Sequence, residues 1–192
     1  MKALSPVLVT APADPLLTLD EAKAHLRVDT TDQDSLITGL IAATESYLDG
    51  YSGVLGRAIR PQSWSVSFDF LAGWRACLPL GRLIEVESIT YYDLDDTQQT
   101  FSTSNYYAIN DAEGPAVIVK NGVAWPATFV RPDAITIQWQ CGFDVVPVAI
   151  KQAALLLIGQ WFDNRSAVID SNKAIEMPLA VRALLRPFSL IL

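Results

Sequence analysis

The stretch PVAIKQAALLLIGQWFDNR, residues 147–165, is the most apolar segment of the chain and reads as a helix. Pro147 suits a first helical position, where its missing N–H would have no intrahelical partner. On a 3.6-residue wheel Ile150, Ala154, Leu155, Leu157, Ile158, Trp161 and Phe162 form one broad apolar arc. Leu156 and Ala153 extend it onto the side that holds Gln152, Gln160 and Asp163. A helix apolar on more than one side needs more than one packing partner. Helical patterns of matching character lie far upstream, in Thr18–Tyr51. Thr18-Leu-Asp-Glu21 is a capping box, in which the Thr18 hydroxyl accepts from an orphan amide while Glu21 reaches back. The short helix behind it runs to about Arg27 and buries Leu19, Ala22 and Leu26. The connector Asp29-Thr-Thr-Asp-Gln-Asp34 offers Thr31 and Asp32 as caps for a second helix that runs to about Gly50. On that helix Leu36, Ile37, Leu40, Ile41, Ala43, Tyr47 and Leu48 fall within a stripe of roughly 160°, opposite Thr38, Glu45, Ser46 and Asp49. The stripes close only if the third helix folds back onto the first two, so Leu40, Tyr47, Leu157 and Trp161 are expected to be mutually buried as core and subunit-packing residues.

Between the helical ends the period changes. Gly50, Gly53 and Gly56 break the helix, and Ser63–Phe70 then alternates small polar with large apolar residues, placing Trp64, Val66, Phe68 and Phe70 on one strand face. Further strands are expected at Ala76–Leu80, Ile84–Asp93, Gln99–Phe101, Tyr106–Asn110, Ala116–Lys120 and Ala134–Cys141. The turns between them are carried by Asp93–Asp96 and Asn110–Gly114. The pattern predicts an α+β protein: a helical bundle from 16–56 and 147–188, with a small antiparallel β domain inserted at 57–146. Residues 1–15, with Pro6, Pro12 and Pro15, read as an extended arm with no element of its own. Residues 178–192 form a Pro178-capped short helix, Leu179–Leu185, and an apolar tail.

Composition narrows the function. The chain has 192 residues, of which 51% are hydrophobic, and a mean hydropathy of +0.25. That is high for a soluble chain, yet no apolar run approaches the roughly 18 residues needed to span a bilayer. The surplus apolar surface is therefore expected at subunit interfaces rather than in lipid, with no membrane partner. The N-terminus has neither the basic region nor the apolar core of a signal peptide, so a cytoplasmic origin is expected. A net charge of −7 and scattered Lys and Arg argue against a protein that grips nucleic acid, which needs clustered cations.

No catalytic constellation is present, and the chain reads as a non-enzyme without cofactor or metal. His25 is the only histidine, so neither a Ser-His-Asp triad nor a multi-histidine metal site can form within one chain. Asp93, Asp95 and Asp96 resemble the opening of a calcium loop but lack the Gly and closing Glu at the required spacing; a hairpin turn explains them. Asp29, Asp32 and Asp34 read as cap residues, Glu85 and Glu87 as a solvated strand face. Cys77 and Cys141 lack CxxC spacing and are expected to be buried free thiols. Trp125 and Trp139 are candidates for an aromatic binding platform, although aromatics at strand positions are more often core.

The ordered segments together resemble a known family. LTLDEAKAHLRVD (17–29), DSLITGLIAATESYLDGYSG (34–53) and GRAIRPQSW (56–64) look like the opening of tailed-phage head–tail connector (adaptor) proteins, including those of gene transfer agents. The resemblance continues through LPLGRLIEVESITYYD (78–93), the Trp125-Pro126 pair and VPVAIKQAALLLIGQWFDNR (146–165), and closes with MPLAVRALLRPF (177–188). It implies a structural virion protein at the head–tail interface, assembled in the bacterial cytoplasm. Such proteins form a ring, usually of twelve subunits, below the portal, and DNA passes through the lumen without specific binding. The ring joins the portal protein to a stopper or tail component. The C-terminal segment, with Leu179, Val181, Arg182, Leu184, Leu185, Arg186 and Phe188, is then expected to dock on the portal. A stopper, a tail terminator and a β-sandwich ligand-binding module are the competing readings.

Overall fold

The structure is a computed structural model that describes residues 2–164 and 177–190. The chain divides into two compact units, Met1–Pro12 with Arg57–Asp144, and Ala13–Gly56 with Val145–Leu192.

The first unit is all β. Strands β1 (Val7–Thr10), β2 (Gln62–Phe68), β3 (Arg75–Cys77), β4 (Leu83–Tyr92), β5 (Gln98–Thr100), β6 (Tyr106–Asp111), β7 (Gly114–Val119) and β8 (Ile135–Cys141) make two antiparallel sheets. One has the order β1-β2-β8-β4-β5 and the other β3-β7-β6. The alternation read from the sequence sets the register: Trp64 faces Trp139, Val66 faces Ile137 and Phe68 faces Ile135 across the β2–β8 ladder. These side chains, with Leu80, Ile89, Phe101, Tyr106 and Val117, form one core shared by both sheets. Bulges in β4 between Leu83 and Glu85 and between Val86 and Ser88 shift which residues face that core. Gly142, at φ +131°, ends β8 where a Cβ would lie 2.2 Å from the Arg60 carbonyl oxygen, so only glycine lets the two backbones pass.

The second unit is helical. It contains α1 (Leu19–Leu26), α2 (Asp34–Leu48), α3 (Val148–Asp163) and α4 (Leu179–Leu185). Helix α1 packs on α2 and α3, α2 packs on α3, and α4 packs on α3. Buried apolar residues come from every helix: Ala22, Ile37, Ile41, Leu48, Ile150, Ala154, Leu157, Ile158, Val181 and Leu185. The capping box forms as its residues dictate, with the Glu21 amide donating to the Thr18 hydroxyl and the Thr18 amide to the Glu21 carboxylate. After α2 the chain turns tightly at Gly53, where a Cβ would stand 2.3 Å from the Asp49 carbonyl oxygen.

Several expectations are corrected. The N-terminal arm contributes an element, because β1 pairs with β2 and the Leu4 amide donates to the Ser67 carbonyl at 2.8 Å. The ladder supplies a stability that the four-residue run could not have alone. Helix α2 has no side-chain cap: Gln33 occupies that position, and the Asp34 amide donates to the Thr31 carbonyl. Phe70 lies beyond the end of β2 and is 46% exposed. Cys141 is buried but Cys77 is exposed, because the three-residue β3 turns it out of the core.

Candidate assembly surfaces

The residues that could carry chemistry are absorbed by structure. His25 is exposed on α1. Glu21 serves the cap and an ion pair with Lys151 at 3.2 Å; the Thr18 amide first, and Lys151 after it, hold its carboxyl below the usual range. Asp34 of the connector pairs with Lys23 at 2.6 Å. Asp93 accepts from the Asp95 and Thr97 amides and from Gln99, which is the geometry of a hairpin turn and lowers its pKa. Glu87 accepts from the Ser63 hydroxyl and the Gln138 amide on the outer face of the sheet, and Glu85 is exposed beside it. Trp139 is fully buried, and Trp125 packs against Phe101 with ring centroids 5.5 Å apart, so both tryptophans serve the core. Among the described residues no group of three or more His, Cys, Asp or Glu could hold a metal ion.

What remains are surfaces. On α2 the face buried by its own unit is Ile37, Ile41, Thr44 and Leu48. A second apolar stripe, Leu36, Leu40, Ala43 and Tyr47, is turned about 100° away, one residue's rotation on a helix. Leu36 is 38% and Tyr47 39% exposed, Ala43 is exposed and Leu40 half-buried. The expected mutual burial of Leu40, Tyr47, Leu157 and Trp161 therefore does not hold. Leu157 is buried. Trp161 is half-buried and meets the Tyr47 ring edge-on at 5.8 Å. The flank of this stripe is small throughout, since Ser35, Gly39, Ala42 and Ser46 are all exposed, and nothing stands within 4 Å of a Cβ built on Gly39.

The C-terminal segment splits. Val181 and Leu185 are buried, as α4 packs on α3. Leu184 and Phe188 are half-buried, and Leu179 (82%), Arg182 and Arg186 are exposed. The Leu190 amide donates to the Leu55 carbonyl at 2.9 Å, tying the tail to its own unit. The polar stretch Ser166–Lys173, which precedes this segment in the sequence, lies outside the described residues.

Comparison with known proteins supplies the context for these surfaces. Residues 16–72 match the family model described as Phage gp6-like head-tail connector protein. No curated protein matches the chain. Among solved structures, the chain is similar to one in the neck of an empty GTA particle computed with C6 symmetry. Identity is 21% and the TM-score 0.71, with 97% of this chain and 95% of that chain covered. A chain in the neck of a native GTA particle computed with C12 symmetry gives 19% identity and a TM-score of 0.68 over the same shares. A chain of the virion of a native gene transfer agent particle gives 21% and 0.68, again over those shares. The resemblance to head–tail connector proteins is thus carried by a family signature over residues 16–72, and the α+β fold is shared along nearly the whole chain with chains of GTA particles.

Proposed function

We propose that the chain is a structural head–tail connector of a phage or a phage-like gene transfer agent, not an enzyme. It would form a ring, taken as twelve subunits, below a portal protein at the head–tail interface of the particle. The observation that carries this reading is the fold it shares, over 97% of its length, with chains from GTA particle necks computed with C6 and C12 symmetry. A cyclic ring needs two different, complementary faces on each subunit. The uncovered stripe Leu36, Leu40, Ala43 and Tyr47 on α2 is one such face, and its small flank lets a neighbouring helix approach closely. Helix α2 and its leading connector contain Asp29, Asp32, Asp34 and Glu45 and no Lys or Arg, so the stripe suits a different face of the neighbour better than a copy of itself.

The portal contact is assigned to the exposed remainder of the C-terminal segment, Leu179, Arg182 and Arg186, with Leu184 and Phe188 at its margin. Val181 and Leu185 hold α4 on its own unit and serve the contact by orienting it. With a net charge of −7, a lumen lined by such subunits repels phosphates and lets the genome slide. The test places the photocrosslinking residue benzoylphenylalanine at Leu40 or at Leu179 in the cells that make the particle. Position 40 should yield dimers of the chain and position 179 a crosslink to the portal. Absence of the chain from purified particles would sink the connector reading altogether.

A further inference from the structure

We infer that the face which receives the α2 stripe is the open side of α3 on a second copy of the chain, so that neighbours join α2 to α3, head to tail. The inference rests on the ring reading and names the contact that closes the ring. It starts from α3, whose apolar arc is wider than the face its own unit buries. Ile150, Ala153, Ala154, Leu155, Leu157 and Ile158 are buried, whereas Val148 (72%), Gln152 and Leu156 (38%) are exposed. These three recur every four residues and so share one side of the helix. Val145, three residues ahead of Val148, is 84% exposed. The helical unit therefore carries two apolar faces that its own packing leaves open, one on α2 and one on α3. They are comparable in extent: Leu36 to Tyr47 covers about 16 Å of helix axis and Val148 to Leu156 about 12 Å.

Charge decides which face meets which. Residues 13–56, which contain α1 and α2, hold eight Asp and Glu against Lys23 and Arg27, a net −6. Helix α3, α4 and the turn after α4 hold Lys151, Arg182 and Arg186 against Asp163, a net +2. Nearly all of the chain's negative charge is thus concentrated around the α2 stripe, while α3 and the helix packed on it are positive. Two α2 stripes facing each other would bring like charges together, at a cost that opposes association. They would also form a two-fold contact, which closes on itself and cannot propagate round a ring. The contact of α2 with α3 has opposite charge on its two sides and uses two different faces, as a head-to-tail ring requires. Shape agrees. The α2 flank of Ser35, Gly39, Ala42 and Ser46 is small, with nothing within 4 Å of a Cβ built on Gly39, and the longer Val148 and Leu156 side chains of the neighbour seat over it.

The experiment uses the full chain in the cells that make the particle, with benzoylphenylalanine at Leu40 in one strain and at Val148 in another. Each crosslinked dimer is isolated and its junction located by mass spectrometry. The junction from position 40 should fall within 145–156 of the second copy, and that from position 148 within 36–47. In the position-40 strain Gln152→Lys should raise the yield of dimer and Gln152→Glu lower it, each by roughly two- to fivefold, the effect of one exposed charge pair. Both variants should melt with the parent, since Gln152 is exposed. Junctions elsewhere, capture of position 148 by its own chain or by a different protein, no dimer from position 148, or yields indifferent to the charge at 152 would each overturn the inference. The ring reading is scored separately by the dimer from position 40, wherever its junction lies. A dimer joined at another site leaves the ring standing without this contact, and the absence of any dimer from position 40 removes both.

Discussion

Leu157 and Tyr47 lie on facing helices and do different work. Leu157 is 2% exposed in the helical core, so Leu157→Ala should lose about 2–5 kcal/mol of stability in urea denaturation. Tyr47 is 39% exposed and meets Trp161 edge-on, a ring pair worth about 0.5–1.5 kcal/mol beyond the area it buries, so Tyr47→Ala should lose less stability than Leu157→Ala while failing to form rings. A Tyr47→Ala chain that assembles normally would remove α2 from the ring contact. The helical wheel could not separate these roles. It shows which residues are apolar, and on α2 both the buried face and the exposed stripe belong to one broad arc. Thr44 belongs to the buried face at 1% exposure, but its hydroxyl hides it from any reading by polarity. Cys77 was illegible for a related reason: a three-residue strand gives too little alternation to say which way its last side chain points.

Elements with their own local chemistry were the most legible. The Thr18–Glu21 box fixed the start of α1, and Thr18→Ala should cost about 0.5–2 kcal/mol, read as a lower melting temperature. The turns at Asp93 and at Asn110–Gly114 delimited β4 to β7 because the Asp93 and Asp111 carboxylates there satisfy backbone amides. Strand β1 escaped notice because Val7-Leu8-Val9 does not alternate and prolines stand on both sides; it is a strand by virtue of its partner. In the three-stranded sheet Arg75 of β3 holds Asp111 of β6 through paired bonds of 2.6 and 2.9 Å. The Arg75 guanidinium keeps the Asp111 carboxyl below the usual range. Since its folded value lies under the unfolded value of about 3.9, its contribution to stability is complete above that pH and is lost as pH falls through the folded value. Asp111→Asn should therefore shallow the acid limb of a stability–pH profile and leave the slope near neutrality unchanged. An acid limb identical to that of the parent would show the pair to be inert.

At the scale of the whole molecule, the α+β class and nearly every element were legible, because the period of hydrophobicity changes cleanly from 3.6 to 2 and back. The assembly surfaces were less so, since apolar residues meant for a partner and those meant for the core carry the same signal. The acidic balance makes one prediction directly: the purified chain should show no appreciable affinity for duplex DNA at near-physiological salt in a gel-shift assay, and a tight, salt-sensitive complex would contradict a sliding lumen. The connector role itself is tested most directly by mixing the purified chain with its portal protein, measuring the mass of the complex in solution and imaging it by electron microscopy. The expected result is a closed ring of this chain stacked on one end of the portal, lost when Leu179, Arg182 and Arg186 are replaced together. Portals that remain bare, with the chain monomeric beside them at every concentration, would contradict it.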